Sequence, residues 1–325
     1  MGRLIVPLKP GLRHAAPALI AGALVLGAGG TLAQPVTHDD PALRERALEL
    51  VNSARAENEL PALEADDVLD EAALAHARDM AERDFYAHES PEGETVRDRF
   101  MEAGGSRWKL VAENLARCEG CPTPPGVERV EGFQSGWMDS PGHRANILAR
   151  GLEGFGFAIV TDDRTTYAVQ TFSGPGAPEG LQPGEEQTAL AAEDVSERAL
   201  SALNRARRNE SLAPLEASAA LDRVAAQLIA GGDGDRLIDG SGDLFDKLPE
   251  GERRDWSGLN VVAAGCGGCG ATPTAADIRR FVQQWLDNPA YEGTLLGGSA
   301  DHAGFAMDAD GEGRKVAVAV VGTRR

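Results

Sequence analysis

Aromatic residues are scarce in this 325-residue chain, at 5% of positions. Its cores must therefore be assembled from small side chains, and Ala and Gly are abundant. Basic residues are also few: 32 Lys and Arg stand against 51 Asp and Glu, a net charge of −19. A surface of that sign repels phosphates and anionic headgroups, which argues against nucleic acid and against adhesion to anionic lipid. No Gly-x-Ser-x-Gly elbow is present, although Ser90 and Ser140 lie near histidines, so a serine-nucleophile hydrolase lacks its motif. One long apolar run exists, Ala15 to Leu26, about a dozen residues where a membrane-crossing helix needs ~20. It follows the basic residues Arg3, Lys9 and Arg13 and precedes Thr31-Leu32-Ala33, a small-x-small site. That is the pattern of a secretory signal peptide over residues 1–33. Its removal takes the charge from −19 to −22 and leaves a soluble protein, secreted or periplasmic, with no stable membrane insertion.

What is present is written twice. Phe133, Trp137, Asp139, Pro141 and Leu148 return as Phe281, Trp285, Asp287, Pro289 and Leu296, all at an offset of 148. Upstream, Leu48, Asn52, Arg55, Leu63, Leu69 and Asp70 return as Leu200, Asn204, Arg207, Leu215, Leu221 and Asp222, at an offset of 152. A repeat of this length means two copies of one domain, because solenoid repeats run to roughly 20–50 residues. The expected organisation is a signal at 1–33, a linker at 34–42, a first domain at 43–174, a linker at 175–192 and a second domain at 193–325. Residues kept in both copies serve the fold; those kept in one are candidates for a site.

The four cysteines fall one pair per copy, Cys118 with Cys121 and Cys266 with Cys269. In an exported chain each pair reads first as a short-range disulfide. A four-cysteine zinc site joining the copies and a thioredoxin-like redox role are the alternatives.

Apolar spacing predicts a helix from Asp40-Pro41 and another from Asp66-Asp67, with Leu69, Ala72, Ala73, His76, Ala77 and Met80 on its inner face. Further helices are expected over 96–103 and 127–138, and a short strand over 107–111. A strand–turn–strand follows across Thr161-Asp162-Asp163-Arg164. Helices first and a hairpin last, without continuous βαβ alternation, give an α+β class with a mainly antiparallel sheet.

The motifs Ala75-His76-Ala77-Arg78-Asp79-Met80-Ala81, His88-Glu89-Ser90-Pro91-Glu92-Gly93, Ala112-Glu113-Asn114-Leu115-Ala116 and Trp137-Met138-Asp139-Ser140-Pro141-Gly142-His143-Arg144 occur in order. In them the chain resembles the CAP superfamily (cysteine-rich secretory proteins, antigen 5 and pathogenesis-related protein 1), in its bacterial SCP-like branch. The resemblance implies tandem three-layer α–β–α sandwich domains, the second degenerate. It also implies an open cleft where two histidines face two acids. Carried over by position, His88, Glu113 and His143 fill three places, and Asp139 is the candidate for the fourth. Its counterpart Asp287 argues for a structural role instead.

Two imidazoles and a carboxylate can hold a divalent cation such as zinc, or act as a general acid–base set. The second copy replaces all three: His88 aligns with Gly240, Glu113 with Leu259 and His143 with Tyr291. His76, on an apolar helix face, reads as a buried structural imidazole. Asn114 and Asn260 read as a shared loop-fixing pair. Three functions stay open: a secreted module binding a small or lipid-like ligand, a metal-assisted hydrolase acting on peptide or cell-wall material, and a non-catalytic extracytoplasmic scaffold. No protein partner can be named.

Overall fold

The computed structural model describes residues 36–37, 40–162, 164–182, 185, 187–230, 232 and 236–325. The leader at 1–33, its cleavage site and His38 lie outside the described residues. The first set of elements runs β1 (Val36–Thr37), α1 (Pro41–Glu57), β2 (Glu64–Ala65), α2 (Asp67–Arg83), α3 (Val96–Glu102) and β3 (Leu110–Glu119). It continues with α4 (Val127–Asp139), α5 (Pro141–Ile147), β4 (Gly154–Thr161) and β5 (Thr165–Gly174). The second set is α6 (Ala192–Asn209), β6 (Glu216–Ala217), α7 (Ala219–Ala230), β7 (Trp256–Cys266), α8 (Ala275–Leu286), α9 (Pro289–Leu295), β8 (His302–Ala309) and β9 (Lys315–Arg324). Two short 3-10 turns, Leu244–Lys247 and Glu252–Asp255, stand between α7 and β7.

Capping sets the helix starts. Asp40 accepts from the Ala42 N–H at 2.9 Å, with Pro41 in the first turn, and Asp66 accepts from the Val68 N–H at 2.9 Å. The first sheet has the order β1-β4-β5-β3, with β2 also on β4; the second has the order β6-β8-β9-β7. Long strands pair antiparallel, whereas β2–β4 and β6–β8 are short parallel pairs, so both sheets are mixed rather than purely antiparallel. Residues 36–37, read from sequence as linker, pair with Thr161 and Val160 at the sheet edge.

The sheet has helices on both faces. Leu43, Val51, Phe133, Trp137, Phe155, Phe157 and Phe172 pack on one side, under α1 and α4. Ala73, Ala77, Met80, Ala158, Val160 and Val169 pack on the other, under α2. This is an α–β–α sandwich. Among the described residues no helix is long and apolar enough to cross a membrane.

Polar residues present in both sets fasten the fold in the same way twice. Asn52 and the Leu63 backbone exchange two hydrogen bonds, at 3.0 and 2.7 Å; Asn204 and Leu215 do so at 2.9 and 2.8 Å. Buried Arg55 donates to the carbonyls of Pro61 and Ile147, and Arg207 to those of Ala213 and Leu295. Asp70 accepts from the Phe157 N–H and Asp222 from the Phe305 N–H, each at 2.8 Å.

Gly156 and Gly304 lie where α2 and α7 cross the sheet. A Cβ on Gly156 would stand 2.3 Å from the Leu69 carbonyl carbon and 2.4 Å from the Asp70 nitrogen. Gly156→Ala is therefore expected to destabilise the chain by roughly 1–3 kcal/mol or more, as overpacking against backbone does. Gly136→Ala, in α4 with nothing within 4 Å of its Cβ, is expected to stabilise by about 0.5–1 kcal/mol. Urea midpoints that move in the same direction for both variants would contradict this packing.

Candidate functional site

Glu113 lies on β3, where the sequence alone predicts only a short strand over 107–111 that stops before it. The strand runs ten residues because it pairs with β5 from Leu110–Gly174 to Glu119–Thr165. Its alternation sends Ala112, Ala116 and Cys118 toward the α1–α4 core and Leu115 toward α2. Glu113 shares the α2 side and is buried, its side chain 1% exposed.

Both carboxylate oxygens of Glu113 are engaged. Oε1 stands 2.8 Å from His88 Nδ1, and Oε2 accepts from Arg99 Nη2 at 2.9 Å. Arg99 is itself buried and also donates to the carbonyls of Glu94 and His88, at 3.1 and 3.0 Å. It is positioned by α3, which starts in a capping box between Thr95 and Asp98. The His88 loop is closed by Ser90: its Oγ accepts from the Glu92 and Glu94 N–H groups, and its N–H donates to the Glu94 carbonyl at 3.0 Å. Ser90 is thus a turn-former.

A carboxylate facing Arg99 can only accept, so His88 Nδ1 carries the proton in this contact. The bare Nε2 then belongs to a side chain that is 57% exposed. His76 approaches the same carboxylate, with Nε2 3.9 Å from Glu113 Oε1. It is fully buried and its Nε2 donates to the Ala87 carbonyl at 2.9 Å, one residue before His88. Burial pushes the His76 imidazole below its ordinary pKa, and the nearby Glu113 only partly opposes this.

His143 is half-buried in α5, a helix absent from the sequence reading, which stopped α4 at Ser140-Pro141-Gly142. Burial lowers its pKa, and the neighbouring His88 lowers it further. Beneath it runs a chain of side-chain amides. Asn146 donates to Asn114 Oδ1 at 3.0 Å, Asn114 to Gln170 Oε1 at 3.2 Å, and Gln170 to Gln134 Oε1 at 2.9 Å. Asn114 also donates to the His143 carbonyl, and Asn146 to the Glu113 carbonyl. Asn114 is therefore no loop-fixing residue; it ties β3 to α5 from a buried strand position. Asp139 is exposed at the end of α4, like Asp287 at the end of α8.

Sheet register revises the alignment of the copies. Glu113 faces Thr171, which faces Gly156; Val261 faces Val320, which faces Gly304. The counterpart of Glu113 is thus Val261, not Leu259, and that of Asn114 is Val262, not Asn260. The amide chain Asn146, Asn114, Gln170 and Gln134 becomes Thr294, Val262, Ala319 and Val282. Network and site are replaced together.

The donor set fits a metal only in part. Among the described residues no group of three or more His, Cys, Asp or Glu is placed to hold an ion. Glu113 is occupied by His88 and Arg99, so it stands behind His88 instead of beside it as a ligand. The open nitrogens are those of His88 and His143. The cysteines offer none: Cys118 is bonded to Cys121 and Cys266 to Cys269, each within its own half. A groove of about 520 Å³ between α2 and α3 is lined by Glu71, Asp79, Glu94 and Arg99 among others. It touches the site through Arg99, while the imidazoles lie outside its wall.

Residues 48–172 match the family described as CAP, the cysteine-rich secretory protein family. The uncharacterized protein YkwD of Bacillus subtilis (strain 168) is 34% identical over 107 residues, 33% of this chain and 38% of that protein. The uncharacterized membrane protein YlbC of the same organism is 32% identical over 104 residues, covering 32% and 28% of the two chains. The match thus spans well under half of either relative. A solved extracellular protein containing a SCP domain, from Bacillus anthracis str. Ames, aligns at 27% identity and TM-score 0.34 over 40% of each chain. Residues 48–172 are thus a CAP domain of the cysteine-rich secretory protein type.

Proposed function

We propose that this protein is exported and uses exposed His88 and half-buried His143 of its first CAP domain to bind a ligand, with a divalent cation such as zinc as the first candidate. The second half is then a degenerate copy whose role is not chemical. One observation carries this reading: buried Glu113, locked by Arg99, engages His88 through Nδ1 and leaves Nε2 to a side chain that is 57% exposed. A carboxylate behind a histidine fixes its tautomer and ring orientation, the arrangement found behind metal-ligating histidines. A bound cation would supply a Lewis-acid centre to an oxygen-bearing ligand. The signal-like leader and the local disulfides support an extracytoplasmic location.

Calorimetry with zinc alone tests it. The full chain is expected to bind about one equivalent, and His88→Ala with His143→Ala to abolish the heat while the melt persists. Undiminished affinity in that double variant would remove the cation from the account. The His88–Glu113 pair is also what a general base requires, which keeps a hydrolase as the second reading. A turnover screen against peptide and cell-wall fragments, with His88→Gln as the inactive control, separates the two.

A further inference from the structure

The two halves belong to one compact unit, Gln34–Arg325, and the Cys266–Cys269 loop of the second is a principal contact between them. Cys266-Gly267-Gly268-Cys269 enters between two segments of the first half. The Gly268 N–H donates to the Trp108 carbonyl at 2.6 Å and the Gly270 N–H to the Pro175 carbonyl at 2.7 Å. Gly176 forms an antiparallel bridge with Cys269, which is 1% exposed. The β8–β9 turn adds a Lys109–Glu312 ion pair at 2.8 Å and places the Arg314 guanidinium 5.4 Å over the Trp108 ring. The contact is close: a Cβ on Gly267 would stand 3.0 Å from the Trp108 carbonyl oxygen, and one on Gly313, whose φ is +108°, 2.8 Å from it.

The place where this loop docks is informative. Residues 106–110 connect α3, which carries Arg99, to β3, which carries Glu113. Arg97 of α3 already reaches back to the Arg107 and Lys109 carbonyls, at 2.8 and 3.2 Å. The equivalent loop of the first half, Cys118 to Cys121, has Glu119 and Gly120 exposed and braces no such junction.

We infer that the second half is an internal brace: its disulfide-closed loop clamps the α3–β3 junction and so holds Arg99, Glu113 and His88 in register. The ligand identity does not enter this inference. It explains why a copy stripped of the site keeps the fold, since a clamp needs the loop and the sheet behind it but no cleft.

Hydrogen exchange on the full chain tests the clamp, with the His88 ring signal as a second readout. In Cys266→Ser with Cys269→Ser, amides of 108–115 are expected to exchange at least tenfold faster, and the His88 ring signal to shift. Cys118→Ser with Cys121→Ser, at the far end of β3, is expected to leave both unchanged. Gly313→Val attacks the same contact without touching a cysteine and should reproduce the first result. Unfolding of the second half would withdraw the loop as well, so the same readouts decide in that case. Unchanged exchange over 108–115, or an unmoved His88 signal, would overturn the inference.

Discussion

Replacing Glu113 by Ala is expected to cost about 3–5 kcal/mol of folding free energy, the penalty for leaving a buried charge without its partner. The orphan is Arg99, which is 3% exposed at its side chain and, among the described residues, has no other carboxylate within 3.5 Å; Glu94 stands at 3.9 Å. The same substitution frees His88 Nδ1. Two outcomes therefore travel together: a lower urea midpoint and a His88 ring that samples both tautomers. Glu113→Gln keeps the shape but presents an N–H₂ to one of two donors, so an intermediate loss is expected. Were Glu113 instead an outward ligand, Glu113→Ala would weaken cation binding and leave stability near that of the wild type. Equilibrium unfolding distinguishes these directly.

A second large effect is expected far from the site, at Lys315 and Asp277. Their side chains are 0% and 1% exposed and meet at 2.6 Å, where α8 starts over the first residue of β9. Asp277 also accepts from the Thr274 N–H at 2.8 Å, capping α8. Asp277→Ala strands a buried ammonium and removes a cap, so a loss of about 4–6 kcal/mol is expected. Adding Lys315→Met should recover most of the ion-pair part, because a buried pair replaced by apolar side chains is often neutral. Burial already holds the Lys315 amine below its ordinary 10.5, opposed by Asp277. Without Asp277 the depression deepens. The unfolded chain then binds the proton more readily than the folded one, so the single variant should gain stability as pH rises toward 10.5. A double variant no more stable than the single would contradict the pair's role.

Repetition made the sequence unusually legible. Asn52, Arg55 and Asp70 recur as Asn204, Arg207 and Asp222, and each proves to be a fastener between backbone segments. Helical periodicity placed the inner face of α2 from Leu69 to Met80, and Asp40 and Asp66 were visible as caps. Strand β3 was less visible, because the run Ala112-Glu113-Asn114 breaks the apolar alternation by burying two polar side chains for the site. The helix α5 hid behind Pro141-Gly142, which read as a terminator although Pro141 is its first-turn residue.

Arg99 went unnoticed because an arginine in a charged helix is ordinarily solvated; only the fold reveals that it is enclosed. The amide chain was legible in principle. Gln134 against Val282 and Asn146 against Thr294 stand in the aligned stretch itself, and loss of a side-chain amide carries the same signal as loss of a histidine. The register slip at Glu113 had a different cause. The copies differ by 152 residues before the His88 loop and by 148 after it, and the Asn260 identity drew the strand two residues out of place.

The account turns on His88 being held by Glu113 through Nδ1 with Nε2 left bare, and the ring's tautomer reports that directly. Long-range proton–nitrogen correlation on the full chain, recorded on the neutral ring, is expected to show a proton on Nδ1 and a bare Nε2. His76 should show the opposite tautomer, since its Nε2 donates to the Ala87 carbonyl. A His88 ring protonated at Nε2, or averaging between tautomers, would contradict the arrangement on which the proposed site rests.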